Sequence, residues 1–222
     1  MTGYDTALCV SPHPDDDIIG CGGSFATFVA SGGNAATVYV TSGENGNREI
    51  VPADLGAMRE REAGFASWQL GIPEERLTFL RYPDLGTVHH ESLIVDSLVT
   101  AIQALRPNLI FAPHESDGHP DHITSYKALM TALGRCIIPP PRLLCYEVWT
   151  PIPTVDVFVD ISTHMPKKIA AMKEHQTQLL KMDYVGKVTE MGQRRSEEVR
   201  GAGSCEVFMD VPTDFMRHRV QS

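Results

Sequence analysis

Ser11-Pro12-His13-Pro14-Asp15-Asp16-Asp17 follows the apolar run Ala7-Leu8-Cys9-Val10 and precedes Ile18-Ile19-Gly20-Cys21-Gly22-Gly23. Four apolar residues bounded by turn formers predict a buried strand. The prolines cannot continue a central strand, so the strand stops at Ser11. A His and three consecutive carboxylates then occupy a turn ahead of a Gly-rich helix start. Adjacent carboxylates repel, and without a cation one of them must take up a proton. A divalent metal removes that cost, and His with Asp suits zinc or ferrous iron. The plainer alternative is a solvated acidic turn with Asp17 as the helix N-cap.

A second stretch repeats the pattern. Leu109-Ile110-Phe111-Ala112 is a short apolar run ended by Pro113, followed by His114-Glu115-Ser116-Asp117-Gly118-His119-Pro120-Asp121-His122 and a helical pattern from Ile123. Both His/Asp-rich loops therefore fall at the carboxyl ends of strands, the edge where open α/β sheets build sites. His119 and His122 are close enough for one to bind a metal while the other faces a substrate. Two His-Pro-Asp loops, each after a strand, favour one shared metal site over two acidic surface turns.

These residues resemble the PIG-L/LmbE family of zinc-dependent de-N-acetylases. The resemblance rests on Pro12-His13-Pro14-Asp15-Asp16-Asp17 and His119-Pro120-Asp121-His122, with support from Thr41-Ser42-Gly43-Glu44 and Arg59-Glu60-Arg61-Glu62. It departs at Asp17, where the family usually carries Glu, one methylene longer. The resemblance implies a Rossmann-like architecture and removal of an N-acetyl group from an N-acetylglucosamine-type glycoside. The corresponding expectation is a Zn2+ (Fe2+ or another divalent ion as alternatives) held by His13, Asp16 and His122. The resemblance assigns Asp15 as general base. His119, protonated, would stabilise the oxyanion or protonate the leaving amine. Arg59 is carried over from the family's helix, and Asp121 is expected either to orient a histidine or to serve as a turn residue. Family members assemble into trimers or hexamers, which implies a homo-oligomer.

Composition narrows the alternatives. The 222 residues suit one well-buried domain over 1–222, and no Ser/Gly/Pro-rich linker divides them. A net charge of −9 and the lack of a basic run with aromatics argue against nucleic acid and anionic membranes as partners. Met1–Asp5 has no signal-peptide character, and no apolar stretch nears the ~20 residues of a membrane helix. Five scattered cysteines read as reduced thiols of a cytoplasmic protein. The resemblance implies a small amino-sugar as partner, and the lack of a membrane segment favours a soluble glycoside.

The rest of the chain alternates strands with helices. Strands are expected at 36–41, 77–80, 143–150 (with Tyr146 and Trp149) and 155–161. Helices are expected at 55–70, 93–105, 123–133 and 167–181. Three or more βα units predict a single α/β domain, a mostly parallel sheet with helices on both faces. Gly20-Cys21-Gly22-Gly23 lacks the dinucleotide fingerprint, and carboxylates sit where a pyrophosphate would lie. The loop 42–48 reads as a mobile substrate-facing loop or a plain surface one. Arg59 and Glu62 are one turn apart and able to pair on the helix surface. Asp84 would orient a metal ligand, contact a sugar hydroxyl or simply form a turn. His89 and His90 read as surface residues, and His175 as a core or surface residue. The charged segment 185–203 reads as a mobile or intersubunit arm. Two rival functions remain: a two-metal phosphoesterase, for which the three aspartates leave room, and a non-catalytic metal- or ligand-binding relative.

Overall fold

The computed structural model describes residues 3–201, 203–214 and 216. Strands β1 (Thr6–Ser11), β2 (Asn34–Thr41), β3 (Leu77–Tyr82), β4 (Leu109–Pro113) and β5 (Arg142–Tyr146) run parallel. Strands β6 (Val157–Asp160) and β7 (Cys205–Val211) add an antiparallel edge, giving the order β3-β2-β1-β4-β5-β7-β6. The chain leaves β1 toward β2 on one side and later returns to β4 on the other. The β1 and β4 carboxyl ends thus flank the crevice where the strand order reverses, the binding position of doubly wound sheets.

Strand β1 shows why both faces are covered. Its side chains alternate, so Ala7 and Cys9 enter one core while Leu8 and Val10 enter the other. The first core takes Phe25 and Phe28 of α1 (Asp16–Ala30), Leu70 of α2 (Pro52–Leu70), Met172 of α5 (Met165–Glu174) and Val188 of α7 (Tyr184–Glu198). The second takes Ile94, Leu98 and Ile102 of α3 (Glu91–Leu105) and Leu129 and Leu133 of α4 (Pro120–Leu133). The sequence expectation of one α/β domain with a mostly parallel sheet and helices on both faces holds. No helix among the described residues is long and apolar enough to cross a membrane.

The glycines after the acidic turn serve packing against the sheet. A Cβ on Gly20 would overlap the Tyr146 ring, and one on Gly23 would meet Ile161 Cδ1 at 2.6 Å. Helix α1 kinks at Cys21 (φ −144°, ψ 15°), and the restarted turn needs new caps. Glu206 supplies them by accepting from Gly23 N at 2.9 Å and Ser24 N at 2.7 Å. Its charge is balanced by the buried Lys168, 2.6 Å away.

Three expectations for the carboxyl-terminal half need correction. Strand β5 ends at Tyr146, so Trp149 lies in the following bend and not in a strand. The single helix expected over 167–181 is broken at His175 (φ −77°, ψ 58°), after which α6 (Gln176–Leu179) begins. There Glu62 accepts from Thr177 N and Oγ1 at 2.8 and 2.6 Å. The segment expected as an arm is helical through Glu198, with Val188 and Ser196 buried and Arg195 bonded to Glu147.

His175 is fully buried, and neither ring nitrogen has a hydrogen-bond partner among the described residues. Burial, with the Arg59 charge second, pushes its pKa down from 6.5 to about 3. The unfolded chain takes up this proton below pH 6.5 and the folded chain does not. Stability is therefore intact above pH 6.5 and falls as pH drops toward 3. In urea unfolding at pH 7 and pH 5, His175→Leu should reduce the pH-dependent loss by about 2 kcal/mol.

Candidate active site

The loops after β1 and β4 meet at one carboxylate oxygen. Asp16 Oδ2 lies 2.9 Å from His13 N, 3.0 Å from His13 Nδ1 and 3.0 Å from His122 Nε2. His122 Nε2 and His13 Nδ1 are 3.3 Å apart. Tetrahedral zinc with bonds of about 2.0–2.1 Å holds its ligand atoms about 3.3 Å apart. The triangle of Asp16, His13 and His122 thus has the dimensions and chemistry of a three-ligand face. Two looser groupings also surround His13, one with His119 and His122 and one with Asp84 and Asp121. In the second, both carboxylates are committed: Asp84 Oδ1 and Asp121 Oδ2 each lie 3.2 Å from His13 Nε2. They hold the ring from the edge opposite Nδ1, as carboxylates do behind metal-ligating histidines. Burial opposes charge on His13, but Asp121, Asp16 and Asp84 outweigh it and hold its pKa well above the usual value.

Asp15 stands beside the triangle. It is the N-cap of α1, yet its side chain makes no capping bond, and its backbone is at φ 130°. A positive φ on a non-glycine residue stores strain that the surroundings must hold in place. Arg59 of α2 is the restraint: Nη2 donates to Pro14 O at 2.6 Å and lies 3.1 Å from Asp15 Oδ1, while Nη1 donates to Gly43 O at 2.9 Å. Gly43 is at φ +64°, and any Cβ there would run into the guanidinium. The surface Arg59–Glu62 pair expected from spacing does not form, because both side chains are buried and point to different partners. Burial raises the Asp15 pKa to about 6 against the opposing charge of Arg59.

The remaining predicted residues divide by role. Asp17 is buried; Oδ2 accepts from Tyr39 Oη at 2.8 Å, and Oδ1 has no hydrogen-bond partner among the described residues. Burial lifts its pKa to about 7, so it is neither a solvated residue nor the N-cap. Asp84 Oδ2 accepts from Asn45 N at 2.9 Å, and Glu44 accepts from Asp84 N at 2.8 Å, so the loop 42–48 is pinned. Asp121 accepts from Leu85 N at 2.8 Å and Thr87 Oγ1 at 2.5 Å, and it orients His13 rather than its neighbouring histidines. His119 is the N-cap of α4, with Nδ1 accepting from Asp121 N at 3.2 Å. The ring hydrogen therefore sits on Nε2. Burial and the neighbouring His13 and His122 lower its pKa, so His119 is a neutral donor and not the protonated group expected. His89 is exposed and outside the site, and His175 lies in the core.

Sequence reasoning missed Asp117, although it lies inside the quoted second loop. Its Oδ1 accepts from His119 N at 2.9 Å and lies 3.5 Å from His122 Nδ1. Its Oδ2 accepts from Trp149 N at 3.3 Å. One buried carboxylate thus ties both histidines to the bend that carries Trp149. The site opens into a cavity of about 300 Å³ with His13, Asp15, Asp16 and His119 among its lining residues. Asn45, Gln178, Lys181, Trp149 and Tyr184 line it as well. Of the last group, only Asn45 falls in a loop the sequence marked as a candidate substrate-facing one; the others come from two further segments that carried no such signal.

A profile of the PIG-L family (GlcNAc-PI de-N-acetylase) matches residues 8–133, which carry both loops. The chain belongs to the PIG-L family. It is 28% identical to the 1D-myo-inositol 2-acetamido-2-deoxy-alpha-D-glucopyranoside deacetylase of Saccharomonospora viridis, across 78% of this chain and 84% of that one. The solved N,N'-diacetylchitobiose deacetylase of Pyrococcus horikoshii superposes with a TM-score of 0.83 at 21% identity, covering 96% of this chain and 86% of that one. The 4-carboxy-2-hydroxymuconate hydratase GalB of Pseudomonas putida KT2440 superposes with a TM-score of 0.77 at 21% identity, covering 94% and 96%. A hydratase and a deacetylase on one fold mean that the site, not the fold, must carry the functional argument.

Asp117→Asn turns one acceptor into a donor facing a backbone N–H. Urea unfolding should show a loss of about 1–3 kcal/mol.

Proposed function

We propose that this protein is a metal-dependent de-N-acetylase that hydrolyses the acetamide of an N-acetylglucosamine-type glycoside. The observation that carries the reading is Asp15, ionisable and unbonded by capping, beside the triangle of Asp16 Oδ2, His13 Nδ1 and His122 Nε2. His13, Asp16 and His122 would hold one zinc, or another divalent ion. When bound, such an ion acidifies water and polarises an amide carbonyl. The curated relative acts on an acetamido-glucopyranoside of inositol and the structural neighbour on diacetylchitobiose, which supports an acetamido sugar here.

Asp15 accepts the proton of the attacking water. Its pKa of about 6 leaves it ionised at neutral pH yet basic enough to take a proton. Arg59 keeps that carboxylate ionised and aimed, and holds the strained turn through Pro14 O. His119 donates its Nε2 hydrogen to the oxygen that gains charge during attack. Asp15 then returns its proton to the departing amine, so acetate and a free amino sugar leave. Asp84 and Asp121 fix the His13 ring, and Asp117 steadies His119 and His122. Asn45 and Gln178 offer neutral amides to sugar hydroxyls from the cavity wall.

Free-amine release from N-acetylglucosaminides tests this reading. Chelation should abolish release, and one added divalent ion per chain should restore it. Two ions per chain with phosphoester turnover and no amine would overturn it. Asp15→Asn should keep the metal and lose about 10²–10⁴-fold in turnover.

Removing the Arg59 charge raises the Asp15 pKa, because that cation favours the ionised carboxylate. A base that protonates more readily is lost at a higher pH. The acid limb of the kcat/KM profile should therefore move to higher pH in Arg59→Met.

A further inference from the structure

We infer that Lys187 is a specificity-determining residue of this site and reads an oxyanion, carboxylate or phosphate, on the aglycone of the acetamido sugar. The inference rests on the de-N-acetylase reading and deepens it by naming a substrate class. A second groove of about 410 Å³ runs along α7, and Lys187, Asp183, Glu190 and Arg194 are among its lining residues. Met182 lines both this groove and the 300 Å³ cavity, so the two adjoin. The cavity is at the small end for ligand sites. In this proposal an acetamido sugar sits over the histidines and its aglycone runs past Met182 toward Lys187.

Lys187 stands at that junction. Its Nζ lies 4.4 Å from the Trp149 ring centroid and 5.6 Å from that of Tyr184, both of which line the cavity. Its backbone N donates to Asp183 O at 3.0 Å, but among the described residues the ammonium has no hydrogen-bond or ion-pair partner. The other cations nearby are committed: Lys181 to Gly46 O, Lys168 to Glu206, Arg195 to Glu147 and Arg194 to Glu198. Asp183 is occupied in capping Gly186 N. Burial lowers the Lys187 pKa, and the charges of Asp16, Asp15 and Asp117 oppose that from a distance.

A half-buried ammonium keeps three strong donors. Aromatic faces attract the charge but accept no strong hydrogen bond. A ligand oxyanion fills the donors with charge-assisted bonds. The ammonium also covers a face of Trp149, so a neutral sugar can stack on that face only by displacing it.

The test compares methyl, carboxymethyl and 1-phosphate derivatives of α-N-acetylglucosamine on the zinc-loaded protein. Wild type should favour at least one acidic derivative by about tenfold in kcat/KM, chiefly through KM. Which one it favours identifies the oxyanion as carboxylate or phosphate. Lys187→Met, which keeps an apolar stem over Trp149, should erase the preference and leave methyl-glycoside turnover within about twofold. No acidic preference in wild type, or an equal loss on all three derivatives in Lys187→Met, would overturn the inference. Tryptophan-fluorescence titration with the same compounds reads binding without hydrolysis. Charge preference there without amine release would sink the de-N-acetylase reading and sustain the role of Lys187. Amine release without charge preference would do the reverse.

Discussion

One oxygen, Asp16 Oδ2, faces three nitrogens from two loops more than a hundred residues apart in sequence. The neighbouring contacts hold that meeting in place. Three adjacent carboxylates are buried, and burial alone pushes all three toward the neutral form. Each escapes by a different route. Asp16 is compensated by the two histidines and stays far below its usual pKa. Asp15 is balanced by Arg59. Asp17 has no cation and instead rises to about 7, with the Tyr39 hydroxyl as its donor. Three identical side chains in a row thus acquire three proton affinities, which is how environment assigns roles to carboxylates.

The sheet makes the meeting possible. Strands β1 and β4 are hydrogen-bonded neighbours from Ala7↔Leu109 to Cys9↔Phe111, so the loops leaving them emerge side by side. Helix α2 then brings Arg59 across to the β1 turn, and Gly43 leaves room for its guanidinium. The strain at Asp15 is tolerated because Arg59 grips the preceding carbonyl and Ile19 N donates to Asp15 O. Rigidity at the floor contrasts with the mouth, where Trp149 remains 46% exposed beneath Lys187.

Legibility followed the range of the interactions. Strand, proline, His/Asp loop and helix were readable twice because each depends on local chemistry and on alternation within a few residues. The Arg59–Glu62 spacing was equally visible, yet its local reading failed: α2 is buried on that face, and burial sends the two side chains to Pro14 and Thr177. Trp149 read as a strand residue because apolar character does not reveal where pairing with β4 runs out, at Tyr146. The charged segment 185–203 read as a mobile or intersubunit arm. Its charges, however, lie on one helix face while Val188 and Ser196 turn inward, and Arg195 finds Glu147.

By itself the sequence determined the α/β class, the two acidic loops and the residue types able to hold a metal. Those follow from periodicity, proline and the chemistry of His beside Asp. Only the tertiary structure decided which oxygen faces which nitrogen, that His119 is a neutral donor, and that Asp117 ties His119 and His122 to Trp149. It also set the Lys187 ammonium over the Trp149 ring at the mouth. The physical reason is that proton affinity and partner choice depend on burial and on groups far away in sequence. Neither is defined until β1, β4, α2 and α7 have come together.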